Sequence, residues 1–370
     1  MSWLSSLVYR LLPRPRLRRG AAEGPRRRPA RIIVFARLPN PSYPFYLEAR
    51  LGAPGMPPAE AVDIHSGDLA RLDPRDTFVL VCRYATPRVL AWISRHAAEL
   101  AGVGLFIDDD VPAIIAHRDT TWTHRLFLLG LAVYPLLVLR THLDVIWTST
   151  PALADRLGAS RAFVLGPAPG PLCFRGAEPA GASPDPPKIV FYSQPVHLAE
   201  HRFLRPIISE VLRHRPDVEV EVVGDRSAAR IWEGLPVAVV QPMRWDAFLA
   251  YTAVRPATIA LVPLLAGPMN DVRAPTKKID VTRLGAAGIY SASPAYGVAQ
   301  SGRDGGECIV GSDPGAWLEA IRAILDDDRH RAALARASRE VVEAMSREAD
   351  MGLPGLTVRD SAEAATRACR

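Results

Sequence analysis

The feature that most constrains the fold is a repeated alternation between short apolar runs and stretches of helical periodicity. In the first half of the 370-residue chain the apolar runs are RIIVFA (31–36), FVLVCRY (78–84), GLFIDDD (104–110), DVIWTST (144–150) and AFVLG (162–166). In the second half they are KIVFYS (188–193), VEVEVVGD (218–225), VAVVQP (237–242), TIALVPL (258–264), GIYSAS (288–293) and ECIVG (307–311). Such runs are typical of strands covered on both faces of a parallel sheet. The alternation therefore predicts an α/β protein with two doubly wound, Rossmann-like domains.

A segment without periodicity separates the two halves. Residues 166–188, GPAPGPLCFRGAEPAGASPDPPK, are dense in Pro, Gly, Ala and Ser, which is typical of a linker. The predicted parts are a basic tail (1–30), an N-terminal domain (31–166), a linker (167–187), a C-terminal domain (188–347) and a last segment (348–370) that can return to the first domain. Doubly wound domains bind ligands beyond the carboxyl ends of their strands, so we expect the site in a central cleft between the two domains.

The positive charge of the chain lies at its N-terminus. Residues 1–31 hold nine arginines and a single acid, Glu23, so the remaining chain is close to neutral although the net charge is +6. Because no basic patch is visible on a folded face, we predict no nucleic-acid partner. An apolar helical face accompanies the arginines, formed by Trp3, Leu4, Leu7, Val8, Leu11 and Leu12. The tail is therefore either disordered, a transit peptide, or an anchor on an anionic membrane surface.

A second apolar run, FLLGLAVYPLLVL, occupies residues 127–139 and contains Pro135. It is shorter than the roughly 20 residues that a bilayer requires. We therefore predict a buried helix for this run rather than a membrane segment.

The cysteine and histidine patterns favour a plain intracellular protein. Cys82, Cys173, Cys308 and Cys369 form no CxxC pair, and the nine histidines form no HExxH motif. We predict no disulfide framework, no metal site and no cofactor, and a cytoplasmic protein that is peripheral at the inner membrane face if the tail is an anchor.

The segment NDVRAPTKKIDVTRLGAAGIYSAS, residues 270–293, concentrates charge after a predicted strand. It predicts a loop and a short helix that place Arg273, Lys277 and Lys278 at the carboxyl end of that strand. Helix starts with neighbouring cations attract anions, which favours a diphosphate ligand. Asp280 lies one turn after Lys277, where it can accept hydrogen bonds from sugar hydroxyls or pair with a cation. The alternative is an exposed charged helix that ends at a glycine.

This segment resembles the donor-site signature of the GT-B glycosyltransferases, in particular the retaining enzymes of the family-4 type. Thr276, Lys277, Asp280, Gly285 and a strand that ends at Ser291 follow the spacing of that signature without insertion. The resemblance covers most of the predicted C-terminal domain and is weaker for the N-terminal domain. It implies the GT-B fold, with Thr276 and Ser291 among the substrate-binding residues.

The resemblance also implies roles for the charged residues. Lys277, with Arg273 or Lys278, would neutralise the diphosphate of a nucleotide-sugar donor. Asp280 stands where the family has a Glu that binds the nucleotide ribose, and it is one methylene shorter. The upstream Glu of the family, which contacts the donor sugar, has Asn270 or its neighbour Asp271 as nearest counterpart, so the donor sugar does not follow from the pattern.

Residues that follow the first strand of each predicted domain are further candidates. FYSQPVHLAEHRF places Ser193, Gln194 and His197 beside the donor, with capping or packing as the alternative for His197. LPNPSYPFYLEARLG resembles an acceptor-side loop of the same superfamily. Ser42 in that loop either contacts an acceptor or belongs to a plain Pro-rich turn.

Three consecutive acids, Asp108, Asp109 and Asp110, follow the strand at 104–107. Carboxylates at a strand end must be solvated, paired or bound to metal. We predict that Asp108 or Asp110 faces the cleft as a catalytic base or acceptor ligand, and the alternative is helix capping with a pair to Arg83. A metal-binding DxD motif is not favoured, because the single-domain layout that uses it differs from this chain.

Together the residues and the resemblance predict a glycosyltransferase. It would move a sugar from a nucleotide-diphosphate sugar to a saccharide or lipid-linked acceptor, with retention, in cell-surface polysaccharide or glycoconjugate synthesis; inversion would require an acid of the first domain. The alternative is a non-catalytic nucleotide-sugar-binding or scaffold protein on the same fold. A nicotinamide-dependent dehydrogenase is excluded, because FARLPNPSYP after the first strand contains no glycine.

Overall fold

The structure, a computed structural model, describes residues 11–174, 184–303 and 305–356, and these divide into two compact units. The N-terminal unit consists of residues 11–111, 125–170 and 346–356, and the C-terminal unit of 112–124, 171–174, 184–303 and 305–345. The middle of the predicted linker, 175–183, lies outside the described residues.

Each unit is built on a six-stranded parallel sheet. The N-terminal strands are β1 (Arg31–Ala36), β2 (Ala59–Asp63), β3 (Thr77–Cys82), β4 (Gly102–Ile107), β5 (Val145–Thr148) and β6 (Phe163–Val164), in the order β2-β1-β3-β4-β5-β6. The C-terminal strands are β7 (Lys188–Tyr192), β8 (Glu219–Val223), β9 (Val237–Val240), β10 (Ile259–Val262), β11 (Ala287–Ser291) and β12 (Cys308–Val310), in the order β12-β11-β10-β7-β8-β9. The predicted pair of doubly wound α/β units is confirmed.

Helices connect the strands. The α-helices are α1 (Glu48–Leu51), α2 (Pro87–Arg95), α3 (Val111–Ala116), α4 (Trp122–Leu128), α5 (Tyr134–Leu139), α6 (Pro151–Leu157), α7 (Leu198–His214), α8 (Arg226–Trp232), α9 (Trp245–Ala253), α10 (Lys277–Arg283), α11 (Pro314–Asp326) and α12 (Asp328–Arg347). Two π-helical stretches cover Tyr43–Leu47 and Leu129–Val133, and 3-10 turns cover Leu69–Arg71, Pro171–Phe174 and Glu348–Met351.

The core of the C-terminal unit explains why the apolar periodicity predicted its helices. Buried side chains of α7 and α11 pack on strands of the sheet; they include Leu204, Ile207, Ile208, Val211, Trp317, Ile321 and Ile324. Both stripes repeat with a period near 3.6, so each helix buries one side. Removing such side chains from water is the main stabilising contribution to the unit.

The arginine-rich segment at residues 11–30 belongs to the N-terminal unit and packs against the rest of it. Arg18 Nε lies 2.5 Å and Arg26 Nε 3.0 Å from the carboxylate oxygens of Asp144, whose side chain is fully buried. These arginines therefore compensate a buried charge inside the unit. The beginning of the predicted anchor, residues 1–10, lies outside the described residues.

Residues 346–356 also pack against the N-terminal unit. The guanidinium of Arg50, which is 2% exposed, donates to the carbonyl oxygen of Glu348 at 2.6 Å. Trp147 Nε1 donates to the carbonyl oxygen of Pro354 at 3.0 Å. The end of the described chain is thus held by buried donors of residues far earlier in the sequence.

The apolar run at 127–139 belongs to a longer helix. α4, the π-helical stretch and α5 continue into one another from Trp122 to Leu139, and we call this element the outer helix. Its buried side chains are Leu128, Ala132, Val133, Pro135 and Leu139. Its exposed large apolar side chains are Trp122 (67%), Leu126 (51%), Tyr134 (47%) and Leu137 (47%). Only 28% of the 18 residues are buried, so the prediction of a buried helix is wrong for its outer side.

Candidate functional site

The C-terminal sheet reverses its winding between the neighbouring strands β7 and β10. The carboxyl ends of the two strands at such a reversal form the crevice in which doubly wound sheets bind ligands. The segment after β7 carries Ser193, Gln194 and His197, and the segment after β10 carries Asn270 and Arg273. The topology therefore brings the two predicted donor segments to one place.

A buried carboxylate, Glu200, joins these two segments. It is 2% exposed and accepts a hydrogen bond from Asn270 Nδ2 at 3.0 Å. Its Oε1 atom also lies 3.4 Å from Nδ1 of His197. Asn270 donates a second hydrogen bond to the carbonyl oxygen of Leu265 at 2.9 Å, which fixes its side chain. Glu200 was not predicted from the sequence, although its position three residues after His197 at the start of α7 was an available signal.

The imidazole of His197 lies in a cationic environment. Burial lowers the pKa of His197; Glu200 raises it, while Arg273 and Lys277 lower it further, and the balance is a lowered pKa. Burial raises the pKa of Glu200, but hydrogen bonds from His197 and Asn270 outweigh burial and leave this pKa lowered. A neutral imidazole beside a carboxylate carries its proton on Nδ1, so Nε2 is left as a hydrogen-bond acceptor.

Asp280 lies between two cations of α10. Lys277 Nζ is 3.0 Å from Oδ2 of Asp280, and Arg283 Nη1 is 3.9 Å from Oδ1. The side chain of Lys277 is 40% exposed, whereas those of Asp280 and Arg283 are 9% and 1% exposed. Arg283 is anchored by a hydrogen bond to Thr252 Oγ1 at 2.8 Å. Lys277 thus presents its charge to solvent, while Arg283 holds the carboxylate from the inside.

Two predicted site residues have structural partners instead. Lys278 forms a buried ion pair with Glu307, whereas the neighbouring Lys277 pairs with Asp280. Ser291 Oγ accepts the N–H of Leu264 at 2.8 Å, which fixes the start of the loop after β10. Thr276 is half-buried directly before α10 and makes no side-chain cap. We therefore place Lys278 and Ser291 in the support of the site rather than in contact with a ligand.

A relay of hydrogen bonds holds Ser193. Trp232 Nε1 donates to Nδ1 of His201 at 2.8 Å, and Nε2 of His201 lies 3.0 Å from Ser193 Oγ. The Ser193 hydroxyl donates to the carbonyl oxygen of Val223 at 3.3 Å. Because Trp232 can only donate, the His201 proton is on Nε2. Ser193 is thereby fixed with its lone pair available, while the next residue, Gln194, is exposed.

The N-terminal sheet reverses its winding between β1 and β3. Arg83, directly after β3, has a positive φ of 66° and pairs with Asp108 at 2.9 Å and with Asp109. Ser42 Oγ donates to Oδ2 of Asp108 at 2.7 Å and accepts from Nη1 of Arg83 at 2.9 Å. The structure therefore joins Ser42 to the acidic cluster, and Asp108 and Asp109 have the Arg83 partner that was the alternative.

Asp110 has a different partner from its two neighbours. It is 1% exposed, and its carboxylate lies 3.7 Å from Nη1 of Arg156. A side chain buried to this extent leaves no surface for a substrate. Asp108, whose side chain is 10% exposed, is the acid of this cluster that we retain as a candidate.

Solved structures resemble this architecture over most of the chain. No protein-family model matches the sequence, and no curated protein matches it. The structure "Trehalose-6-phosphate from E. coli bound with UDP-2-fluoro glucose" matches with a TM-score of 0.52, 11% identity, and 89% of this chain and 99% of that chain covered. The sucrose-phosphate synthase of Thermosynechococcus elongatus matches with a TM-score of 0.50, 13% identity, and 92% and 100% covered. This protein has the GT-B fold.

A third GT-B structure, of a mutant O-GlcNAc transferase from Thermobaculum terrenum, matches with a TM-score of 0.51, 14% identity, and 99% of this chain and 72% of that chain covered. At such identities the likeness is one of fold. The fold that the segment after β10 led us to expect is thus confirmed. Among the described residues of this GT-B chain, no group of three or more His, Cys, Asp or Glu is arranged to hold a metal ion.

Proposed function

We propose that this GT-B protein is a glycosyltransferase that takes a sugar from a nucleotide-diphosphate donor. The observation that carries the proposal is the cationic end of the C-terminal sheet, where Arg273 and Lys277 lie beside the neutral imidazole of His197 at the β7/β10 reversal. The E. coli structure of the same fold, described as bound with UDP-2-fluoro glucose, supports a donor of this class.

The chemistry that this arrangement supports is stabilisation of a leaving group. When the bond between the sugar and the diphosphate breaks, negative charge develops on the diphosphate, and fixed cations lower the free energy of that transition state. Lys277 is the exposed cation and Arg273 the half-buried one. Nε2 of His197 and the carboxylate of Asp280 accept hydrogen bonds from hydroxyl groups of the donor.

We assign the acceptor to the carboxyl end of the N-terminal sheet, where Ser42, Arg83 and Asp108 form one hydrogen-bonded cluster. The acceptor is a saccharide or a lipid-linked saccharide, and the reaction serves cell-surface polysaccharide or glycoconjugate synthesis on the cytoplasmic side of a membrane. In a transfer with retention, the departing phosphate takes the proton of the acceptor hydroxyl, so the protein need not supply a base.

Calorimetric titration of the full chain with UDP, GDP, ADP, dTDP and CMP tests the donor class. We expect one diphosphate to bind with a dissociation constant at least tenfold below those of the others. The Lys277→Met variant should weaken that binding, because it removes the exposed cation. Arg213→Met is the matched control: it also removes one positive charge, but at the far end of α7, about 24 Å from His197 along the helix. Equal binding by both variants would contradict the assignment.

Turnover separates an enzyme from a scaffold. With the matching nucleotide sugar, release of the diphosphate in the presence of a saccharide acceptor should fall on the order of 100-fold in Lys277→Met, the typical cost of losing one electrostatic contact to a transition state. Tight donor binding without any release, also with lipid-linked acceptors, would favour the non-catalytic alternative.

A further inference from the structure

The outer helix, Trp122–Leu139, is apolar on all sides from Leu126 onward, after a first turn that contains Thr123, His124 and Arg125. A helix of this kind is normally surrounded by other parts of the protein or by lipid. Here one side packs into the protein, with Leu128 and Leu139 1% and 0% exposed, and the other side is open. Of the nine large apolar side chains that are exposed in the described residues, four are on this helix.

We call the four exposed side chains of this helix the outer face: Trp122, Leu126, Tyr134 and Leu137. Trp122 and Leu126 are one turn apart, as are Tyr134 and Leu137. Between the pairs lies the π-helical stretch Leu129–Val133. A π-helix has more residues per turn than an α-helix, so each residue rotates the chain by a smaller angle about the helix axis. A regular α-helix would rotate the second pair further around the axis, so the π-helical stretch keeps the two pairs on the same side.

The charged side chains of the outer helix and its flanks are mostly basic. No acid occurs in the sequence between Asp119 and Asp144, and Asp119, whose side chain is 12% exposed, lies 3.9 Å from Arg118. Arg118, four residues before the helix, has a 76% exposed side chain, and Arg140, directly after the helix, is exposed. Trp and Tyr with Leu on one side and arginines at the ends are the composition of helices that lie in the interface of an anionic membrane.

The packed side of the helix decides between lying on a membrane and crossing it. By length and composition the 18 residues would suffice to cross. Leu128 and Leu139, however, are in the protein core, so lipid cannot surround the helix. In a contact between two copies of the chain, neither outer helix would supply an acid to compensate Arg140 of the other copy.

We infer that the outer face binds the surface of an anionic lipid bilayer, with Trp122, Leu126, Tyr134 and Leu137 inserted at the level of the headgroups. The arginines at either end contact the anionic headgroups. This inference stands apart from the proposed function, because it concerns where the protein docks and not what it transfers.

Sedimentation of the full chain with vesicles tests the inference. The wild type should bind vesicles of phosphatidylcholine with 30% phosphatidylglycerol and bind pure phosphatidylcholine vesicles at least tenfold more weakly. The triple variant Leu126→Ser, Tyr134→Ser, Leu137→Ser should lose more than tenfold in binding to the mixed vesicles. The matched control is Val254→Ser, Val298→Ser, which removes two side chains that are 74% and 81% exposed elsewhere, and it should bind like the wild type.

Two further measurements keep the outcome unambiguous. Thermal unfolding should be alike for all variants, because the substituted side chains are exposed; if the triple variant fails to fold, Leu126→Ser alone should still weaken binding several-fold. Equal binding of the wild type and the triple variant to the mixed vesicles overturns the inference. The inference is also overturned if deletion of residues 1–10 abolishes vesicle binding while the triple variant still binds. Size-exclusion chromatography that shows a dimer in the wild type and a monomer in the triple variant would assign the face to a second copy instead.

Discussion

The relay from Trp232 through His201 to Ser193 should make the C-terminal unit sensitive to acid. Burial, followed by the neighbouring His197, lowers the pKa of His201 to about 4, from an ordinary value near 6.5. Between these pH values the unfolded chain binds a proton that the folded chain does not. The relay therefore contributes stability above pH 6.5 that is lost progressively as the pH falls to 4. By linkage the loss between pH 7 and pH 5 is about 2 kcal/mol.

Urea unfolding of the wild type and of His201→Gln at pH 7 and pH 5 measures this contribution. The amide of Gln offers Trp232 an acceptor and Ser193 a donor, but it does not titrate. The wild type should lose about 2 kcal/mol more than the variant over this interval. His197, whose pKa is also lowered, is present in both proteins and cancels from the difference. An identical pH dependence in the two proteins would refute a buried, neutral His201.

Two buried ion pairs give further predictions. Lys278→Met leaves the carboxylate of Glu307 buried without its cation and should lower the free energy of unfolding by about 3 kcal/mol, measured by urea unfolding. The double variant Lys278→Met, Glu307→Leu should recover most of the lost stability, because the unpaired buried charge is then removed as well. Donor binding by that double variant should equal the wild type; a loss would return Lys278 to the donor site. Asp144→Asn should cost roughly 2 kcal/mol in the same measurement, since Arg18 and Arg26 are 28% and 25% exposed and water replaces part of the lost contact. No change in stability would mean that the arginine-rich segment does not depend on this carboxylate.

Strands were predictable where both faces of the sheet are covered. Runs such as RIIVFA and FVLVCRY coincide with β1 and β3 to within a few residues, because residues 32–36 and 78–82 are all apolar. β2, AEAVD at Ala59–Asp63, was missed, since it is an edge strand with a single buried residue, Val62, and leaves no apolar run in the sequence.

The spacing of the site residues along α10 was predictable, but the direction in which each side chain leaves the helix was not. The interval from Lys277 to Asp280 predicted one turn, and the two side chains are in contact. Lys277 and Lys278 are adjacent, so the sequence could not tell which faces solvent and which enters the core toward Glu307. The contact between Glu200 and Asn270 was beyond the sequence, because the two residues are 70 positions apart and meet only through the sheet.

For the outer helix, the sequence could not show what covers its apolar side chains. An apolar composition all round predicts that a helix is covered, but it does not say by what. The N-terminal unit uses the side that contains Leu128 and Leu139 to complete its core, and the described residues leave the other side uncovered.

The burial of Arg50 has a consequence for synthesis. Its guanidinium is among the first parts of the sheet region to leave the ribosome, yet the acceptors of its Nη1 atom, the carbonyl oxygens of Glu348 and Gly352, are translated roughly 300 residues later. Until then only Nη2 has a lasting acceptor, the carbonyl oxygen of Gly166, and the charged group is incompletely bonded. The nascent N-terminal unit therefore remains incompletely folded while the C-terminal unit is synthesised. Its folding is completed only after residues 348–352 have left the ribosome.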